Sequence, residues 1–224
     1  MAIETISLQL FLLIIATAVV ATQSSSLTSP APVQSPASIS TISFLRTSCA
    51  VTDVPDACYN LLAVIDVPDA CYNLLLPYMD TFHGNLARVA RAASAFAGAR
   101  QHDLADDLAR LKLRGTGAGR VADMTLGDCY DTVSGSNMFA NETLGHIDNL
   151  VVQVGSKKDM DSEQILAREW LESSDSGMMQ CIDWFHDAGE AAVSSPVGKE
   201  VIAGCTTVSL YMNMALMLVN AIKF

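Results

Sequence analysis

Four long stretches of the chain repeat apolar residues at intervals of three and four. The first carries Leu86, Val89, Ala93, Phe96, Leu104, Leu108 and Leu111. The second carries Val121, Met124, Cys129, Val133, Ala140, Leu144, Ile147 and Val151. The third carries Ile165, Trp170, Met178, Cys181, Ile182 and Phe185, and the fourth Val197, Val201, Cys205, Val208, Tyr211, Ala215, Leu218 and Ile222. This spacing lays one apolar stripe along each helix. The breaks between them are turn-like: residues 114–120 (RGTGAGR) are rich in glycine and residues 155–160 (GSKKDM) are polar. Asp161 with Gln164 resembles a capping box opening the third helix, and Ser195 before Pro196 is a favourable cap for the fourth. Short turns between long helices make antiparallel neighbours, so the pattern predicts an all-α, up-and-down four-helix bundle. The second helix is the weakest, because Gly127, Gly135 and Gly145 each cost it about 1 kcal/mol relative to alanine.

Ahead of these helices, residues 50–62 read AVTDVPDACYNLL and residues 63–75 read AVIDVPDACYNLL. This is a tandem duplication with one difference, Thr52 against Ile65. Two copies of so short a unit cannot make a solenoid, so one local element is doubled. Each copy has a helix start at Asp-Val-Pro-Asp followed by an apolar Cys-Tyr-x-Leu-Leu turn. Pro68 disfavours helix at the preceding residue, so the copies are expected to form separate short helices.

Residues 6–21 are almost unbroken in their apolar character and too short to span a bilayer comfortably. Residues 1–25 therefore read as a signal peptide; the stretch before the apolar run holds Glu4 and no Lys or Arg, which leaves an uncleaved anchor as the alternative. Residues 26–43 are rich in Ser, Thr, Pro and Ala and read as a flexible linker. Residues 44–224 are the folded domain, large enough to bury a core. Half of the residues in the chain are apolar but only 6% are aromatic, which favours helices built on Ala, Leu and Met. The net charge of −11 argues against nucleic acid and anionic membranes. It suits either plain solubility or a cationic protein partner. Asn141-Glu142-Thr143 is a glycosylation sequon, which gains weight in a secreted chain.

Six cysteines occur: Cys49, Cys58, Cys71, Cys129, Cys181 and Cys205. Their spacing suits no zinc site, and behind a signal peptide disulfides are the default. Cys129 and Cys181 lie on the stripes of the second and third helices. A bridge there would clamp two neighbours; two buried thiols are the alternative. Cys205, mid-stripe in the last helix, reads as a buried free thiol.

No motif of a known catalytic chemistry is present. Gly115, Gly117 and Gly119 belong to a turn. Asp159, Asp161 and Glu163 alternate like the start of a calcium loop, but the glycine and distal glutamate such a loop needs are missing, so they read as helix capping. His83, His102, His146 and His186 are scattered, and Asp106-Asp107 belongs to a solvated helix face. A binding protein with no catalytic residues, cofactor or metal is expected.

Four motifs in order point to a family. Thr47-Ser48-Cys49 followed by Val54-Pro55-Asp56-Ala57-Cys58-Tyr59 resembles the opening Thr-Ser-Cys…Pro…Cys motif of plant invertase/pectin methylesterase inhibitors. Asp128-Cys129-Tyr130 resembles the family's Asp-Cys in the second bundle helix. Trp170-Leu171 with Cys181 and Phe185 resembles its third helix, and residues 209–222 (SLYMNMALMLVNAI) resemble its Thr-Ser-Asn-Ala-Leu-Ala-Leu ending. The likeness runs over about residues 44–222. It implies a short N-terminal helical hairpin leaning on the bundle, with one disulfide in each. It also implies a secreted, apoplastic monomer that is not an enzyme. Such a protein inhibits pectin methylesterase reversibly and stoichiometrically, covering the enzyme's cleft with polar residues on the second and third bundle helices. Acid invertase is the alternative target, and a secreted structural or signalling bundle without inhibition is the alternative class.

The duplication leaves Cys49 two partners, Cys58 nine residues on and Cys71 twenty-two residues on. The longer loop changes the closure entropy by only about 0.8 kcal/mol, so loop length hardly discriminates. Copy one keeps the family's spacing from Cys49, whereas copy two alone runs directly into Leu76-Pro77-Tyr78 and the first long helix. The expectation is Cys49–Cys58, with Cys71 the alternative partner and otherwise an odd thiol open to exchange.

Overall fold

The computed structural model describes residues 36–52, 67–137, 140–153 and 155–224. They belong to one compact unit, Ser35–Phe224; Met1–Gln34, with the expected signal peptide and half of the expected linker, lies outside the described residues. The fold is all-α, and no strand occurs among the described residues. Helix α1 (Pro36–Cys49) runs into a 3₁₀ turn, Ala50–Thr52, and α2 (Val67–Leu75) into a second, Leu76–Thr81. Then come α3 (Leu86–Arg114), α4 (Arg120–Ser136), α5 (Ala140–Val152), α6 (Lys157–Asp187), the short α7 (Glu190–Ser194) and α8 (Pro196–Ala221).

The helix ends follow local chemistry. Asn85 caps α3, its side-chain oxygen accepting from the N–H groups of Ala87 and Arg88. The turn after α3 uses positive φ at Gly115, Gly117 and Gly119. Asp123 holds that turn by accepting from both the N–H and the hydroxyl of Thr116 at 2.7 Å, and these bonds keep its carboxyl below the usual range. Ser195 caps α8 through the Gly198 N–H, with Pro196 in the first turn, as the sequence predicts. The capping box of α6 is not Asp161 with Gln164. Ser156 and Asp159 form it, one turn earlier, because the helix starts at Lys157.

The second predicted helix is two helices. α4 ends at Ser136 and α5 begins at Ala140, with residues 138–139 outside the described residues. The buried line of α4 is Ala122, Leu126, Cys129 and Val133, at steps of four, three and four. Val121 and Met124, expected in the stripe, lie off that line and are exposed, as is Ile165 on α6.

α8 packs along both α6 and α3; α4 and α5 each pack against both α3 and α6. α8 is long and apolar enough to cross a bilayer, yet half of its apolar window is buried inside the protein. One close approach needs glycine: a Cβ on Gly198 would strike the Ala192 carbonyl, whereas one on Gly204 would meet only the movable end of Leu104, at 2.7 Å.

At the N-terminal end α1 packs on α2, with the Arg46 guanidinium over the Tyr72 ring at 4.2 Å. The linker expected to reach residue 43 gives way to helix from Pro36, because Leu45, Ser48 and Cys49 form a buried face that the helix presents. The bridge here corrects the sequence expectation: Cys49 pairs with Cys71, Cα atoms 5.6 Å apart, and Cys58 lies outside the described residues. The reason is attachment. Cys71 and Leu75, one turn apart and both buried, share a face of α2, and α2 continues directly into the turn that leads to α3. A second bridge joins Cys129 of α4 to Cys181 of α6, Cα atoms 5.2 Å apart. Cys205 is buried and free, and burial pushes its thiol up to about 12.

Peptide mapping of the alkylated, unreduced protein is expected to recover Cys49 linked to Cys71 and Cys129 linked to Cys181. A dominant Cys49–Cys58 peptide would contradict this pairing. Replacing both Cys129 and Cys181 by alanine opens a loop spanning 52 residues. Urea unfolding should then show a loss of about 4 kcal/mol, against about 3 kcal/mol for the shorter loop closed by Cys49 and Cys71.

Candidate protein-binding face

The break between α4 and α5 exposes carbonyl oxygens that a continuous helix would have used. Two buried side chains from neighbouring helices take them up. Gln101 of α3, fully buried, donates from Nε2 to the Val133 carbonyl at 3.1 Å and to the Ser136 hydroxyl. Trp170 of α6 donates from its indole N–H to the Ser136 carbonyl at 2.7 Å. The C-terminus of α4 is thereby fixed between α3 and α6, and the Cys129–Cys181 bridge ties the same helix to α6.

Beside this break lies an open groove of about 450 Å³ between α5 and α6, reaching back to Gly135 and Ser136. Trp170 lines it with Leu166, and Glu142, Glu169 and His146 supply its polar groups. His146 Nδ1 lies 2.7 Å from Glu163 Oε2, a contact between α5 and α6 whose side chains are both about one quarter exposed. Hydrogen bonds from His146 and then from Asn149 hold the Glu163 carboxyl below its usual range. Glu142, Glu163 and Glu169 therefore bring three carboxylates to or beside one concavity with an aromatic wall. That arrangement can accept the ammonium or guanidinium of a basic side chain. Among the described residues no group of three or more His, Cys, Asp and Glu is arranged to hold a metal ion.

The other singled-out residues fall elsewhere. Asn141 is exposed in the first turn of α5, next to Glu142, whereas Thr143 of its sequon is buried. His102 stands 4.0 Å from Asp106 on the exposed face of α3, and Asp107 pairs with Arg110. Asp159 is absorbed in the Ser156 cap. Gln164 donates to the Val219 carbonyl at 2.6 Å and the Ile222 carbonyl at 3.3 Å, closing the end of α8.

The sequence gives no hint of Asp175. It sits half-buried on α6, accepting from the Ser209 hydroxyl of α8. Burial raises its pKa above the usual carboxylate range, and the hydrogen bonds from Ser209 and Asn213 only partly offset this. No family model matches the chain, and no curated protein or solved structure does either. Function must therefore be argued from these residues and their geometry.

Asp175 carries a testable pH dependence. Its folded pKa is raised, so the folded state binds its proton more tightly than the unfolded chain. Its contribution to stability is therefore greatest below the ordinary aspartate pKa and declines as pH rises through the raised one. Asp175→Asn should raise the melting temperature at neutral pH, and the gain should vanish as pH falls into the acidic range. Equal gains at both ends of a pH series followed by circular dichroism would contradict this assignment.

Proposed function

We propose that this protein is a secreted inhibitor of pectin methylesterase that binds the enzyme reversibly, one to one, and covers its cleft. The observation that carries the reading is the acid-rimmed groove on α5 and α6. It lies on the helices where an inhibitor of the resembled family is expected to meet its target. Two further features support it. The disulfide between α4 and α6 makes this face rigid, which lowers the ordering cost of binding. The net charge of −11 favours encounter with a basic partner.

In this reading α3, α4 with α5, α6 and α8 are the four members of an up-and-down bundle, and α1 with α2 is the N-terminal hairpin. Residues 1–25 direct the chain out of the cell, and the mature protein acts as a monomer in the cell wall. The motifs that suggest the family are shared by inhibitors of acid invertase, which makes that enzyme the second target to test.

Titration of the purified mature protein against pectin methylesterase and acid invertase, from acidic to neutral pH, is the direct measurement. Stoichiometric loss of pectin methylesterase activity is expected, with an association rate that falls as salt rises. Reversing the rim charges with Glu142→Lys and Glu169→Lys should slow association about tenfold and flatten the salt dependence. Inhibition of invertase alone would reassign the target. Inhibition of neither enzyme at micromolar protein would leave a structural or signalling bundle.

A further inference from the structure

A second concavity lies on the opposite flank of α5, far in character from the acidic groove. It is an open trough of about 580 Å³ between α3 and the segment formed by the end of α2 and the 3₁₀ turn after it. Its floor is α3, where Ala92, Ala95 and Ala99 share one face and offer nothing beyond Cβ. Its apolar walls include Leu74, Tyr78, Phe82 and Phe96. Tyr78 is 52% exposed although it is one of the largest apolar side chains here.

The same trough holds two guanidinium groups, Arg88 and Arg91, one turn apart at its start along α3. Arg91 is spent on Asp148 of α5, bonded to both carboxylate oxygens. Arg88 donates only to the Thr81 carbonyl, at 3.2 Å, and among the described residues no carboxylate pairs with it. Arg88 also sits in the first turn of α3, which contains no acidic residue. The helix N-terminus is positive there, so an anion beside Arg88 meets the guanidinium and the helix dipole together. The Thr81 carbonyl anchors the guanidinium over the trough and leaves its other N–H donors for a ligand.

We propose that this trough binds a single-chain amphiphile with a carboxylate head, a free fatty acid. The head is held by Arg88, and the tail lies over the alanines between the walls of Tyr78, Phe82 and Phe96. From Arg88 to Ala99 the floor is about 16 Å long, enough for roughly a dozen extended carbons. The volume falls in the ordinary range of small-molecule sites, and the contrast of an apolar bed with one aimed polar group is what such sites use to fix orientation. The site is separate from the acidic groove, so binding here stands whether or not the protein inhibits an enzyme.

The test uses the full mature chain and cis-parinaric acid, a fluorescent fatty acid, kept below its micellar concentration. Saturable one-to-one binding is expected, displaced by palmitate and at least tenfold less well by hexadecanol, which lacks the charge. Arg88→Gln should weaken binding about tenfold, and Ala95→Phe should abolish it by filling the floor. Glu142→Lys, in the other groove, should leave it unchanged. Circular dichroism checks that each variant folds; Arg88 is on the surface, so Arg88→Gln decides the matter should Ala95→Phe fail to fold. Absence of saturable binding, displacement by hexadecanol equal to that by palmitate, or full binding by a folded Arg88→Gln would each overturn the proposal.

Discussion

A helix that ends within a packed protein leaves carbonyl oxygens without intrahelical donors, and an unsatisfied buried carbonyl is costly. Much of this structure is arranged around that demand. Where α4 stops, Gln101 and Trp170 reach across from α3 and α6 to the carbonyls of Val133 and Ser136. Where α8 stops, Gln164 reaches from α6 to Val219 and Ile222. Where α5 stops, the Asn85 amide, whose oxygen caps α3, donates to the Val151 carbonyl at 3.4 Å. Each bond ties the end of one helix to the side of another. The helix ends are thereby the points at which neighbours are registered, and apolar burial fills the space between them. The break in the second predicted helix is sustained because its carbonyls have donors waiting, and the acidic groove lies beside that break.

The sequence made visible what has a local period. The stripes of α3, α6 and α8 and the turn at residues 114–120 follow from spacing and glycine alone, and so does the Ser195-Pro196 start of α8. It hid what depends on partners distant in the chain. Gln101 and Gln164 look like ordinary polar positions until the helix end opposite each is known. In the sequence Gln164 consequently resembles part of a local cap with Asp161, whereas Ser156 and Asp159 form the box that opens α6. The partner of Cys49 was hidden for a different reason. Residues 53–62 and 66–75 are identical, so no local signal separates Cys58 from Cys71. Only attachment to the rest of the fold does, through Leu75 and the turn that follows.

Charge is distributed unevenly over the result. Glu142, Glu163 and Glu169 gather around the α5–α6 groove, while the trough on α3 has Arg88 and Arg91 at its head. α5 takes part in both regions. Its His146 contacts Glu163 of α6, and its Asp148, two residues on, neutralises Arg91 of α3. One short helix thus joins an acidic concavity to a basic one, through an imidazole–carboxylate hydrogen bond on one side and an ion pair on the other. Both pairs are partly exposed, so their contribution is to orientation more than to stability.

This placement bears on the sequon. Asn141 is exposed in the first turn of α5, but Thr143 is buried, so in the folded chain the Asn-Glu-Thr triplet is not presented as an extended, accessible strand. A glycan can be added there only before α5 has packed. Once added, it would project beside Glu142, at the rim of the groove. Protein docking into that groove needs the partner to approach the rim closely and match its shape, which a bulky sugar obstructs. The two readings of this stretch, a glycosylated surface and an inhibitory contact, therefore compete for the same few ångströms of α5. An inhibitor that uses this groove must carry a bare Asn141, and a chain glycosylated there must meet any partner through another face.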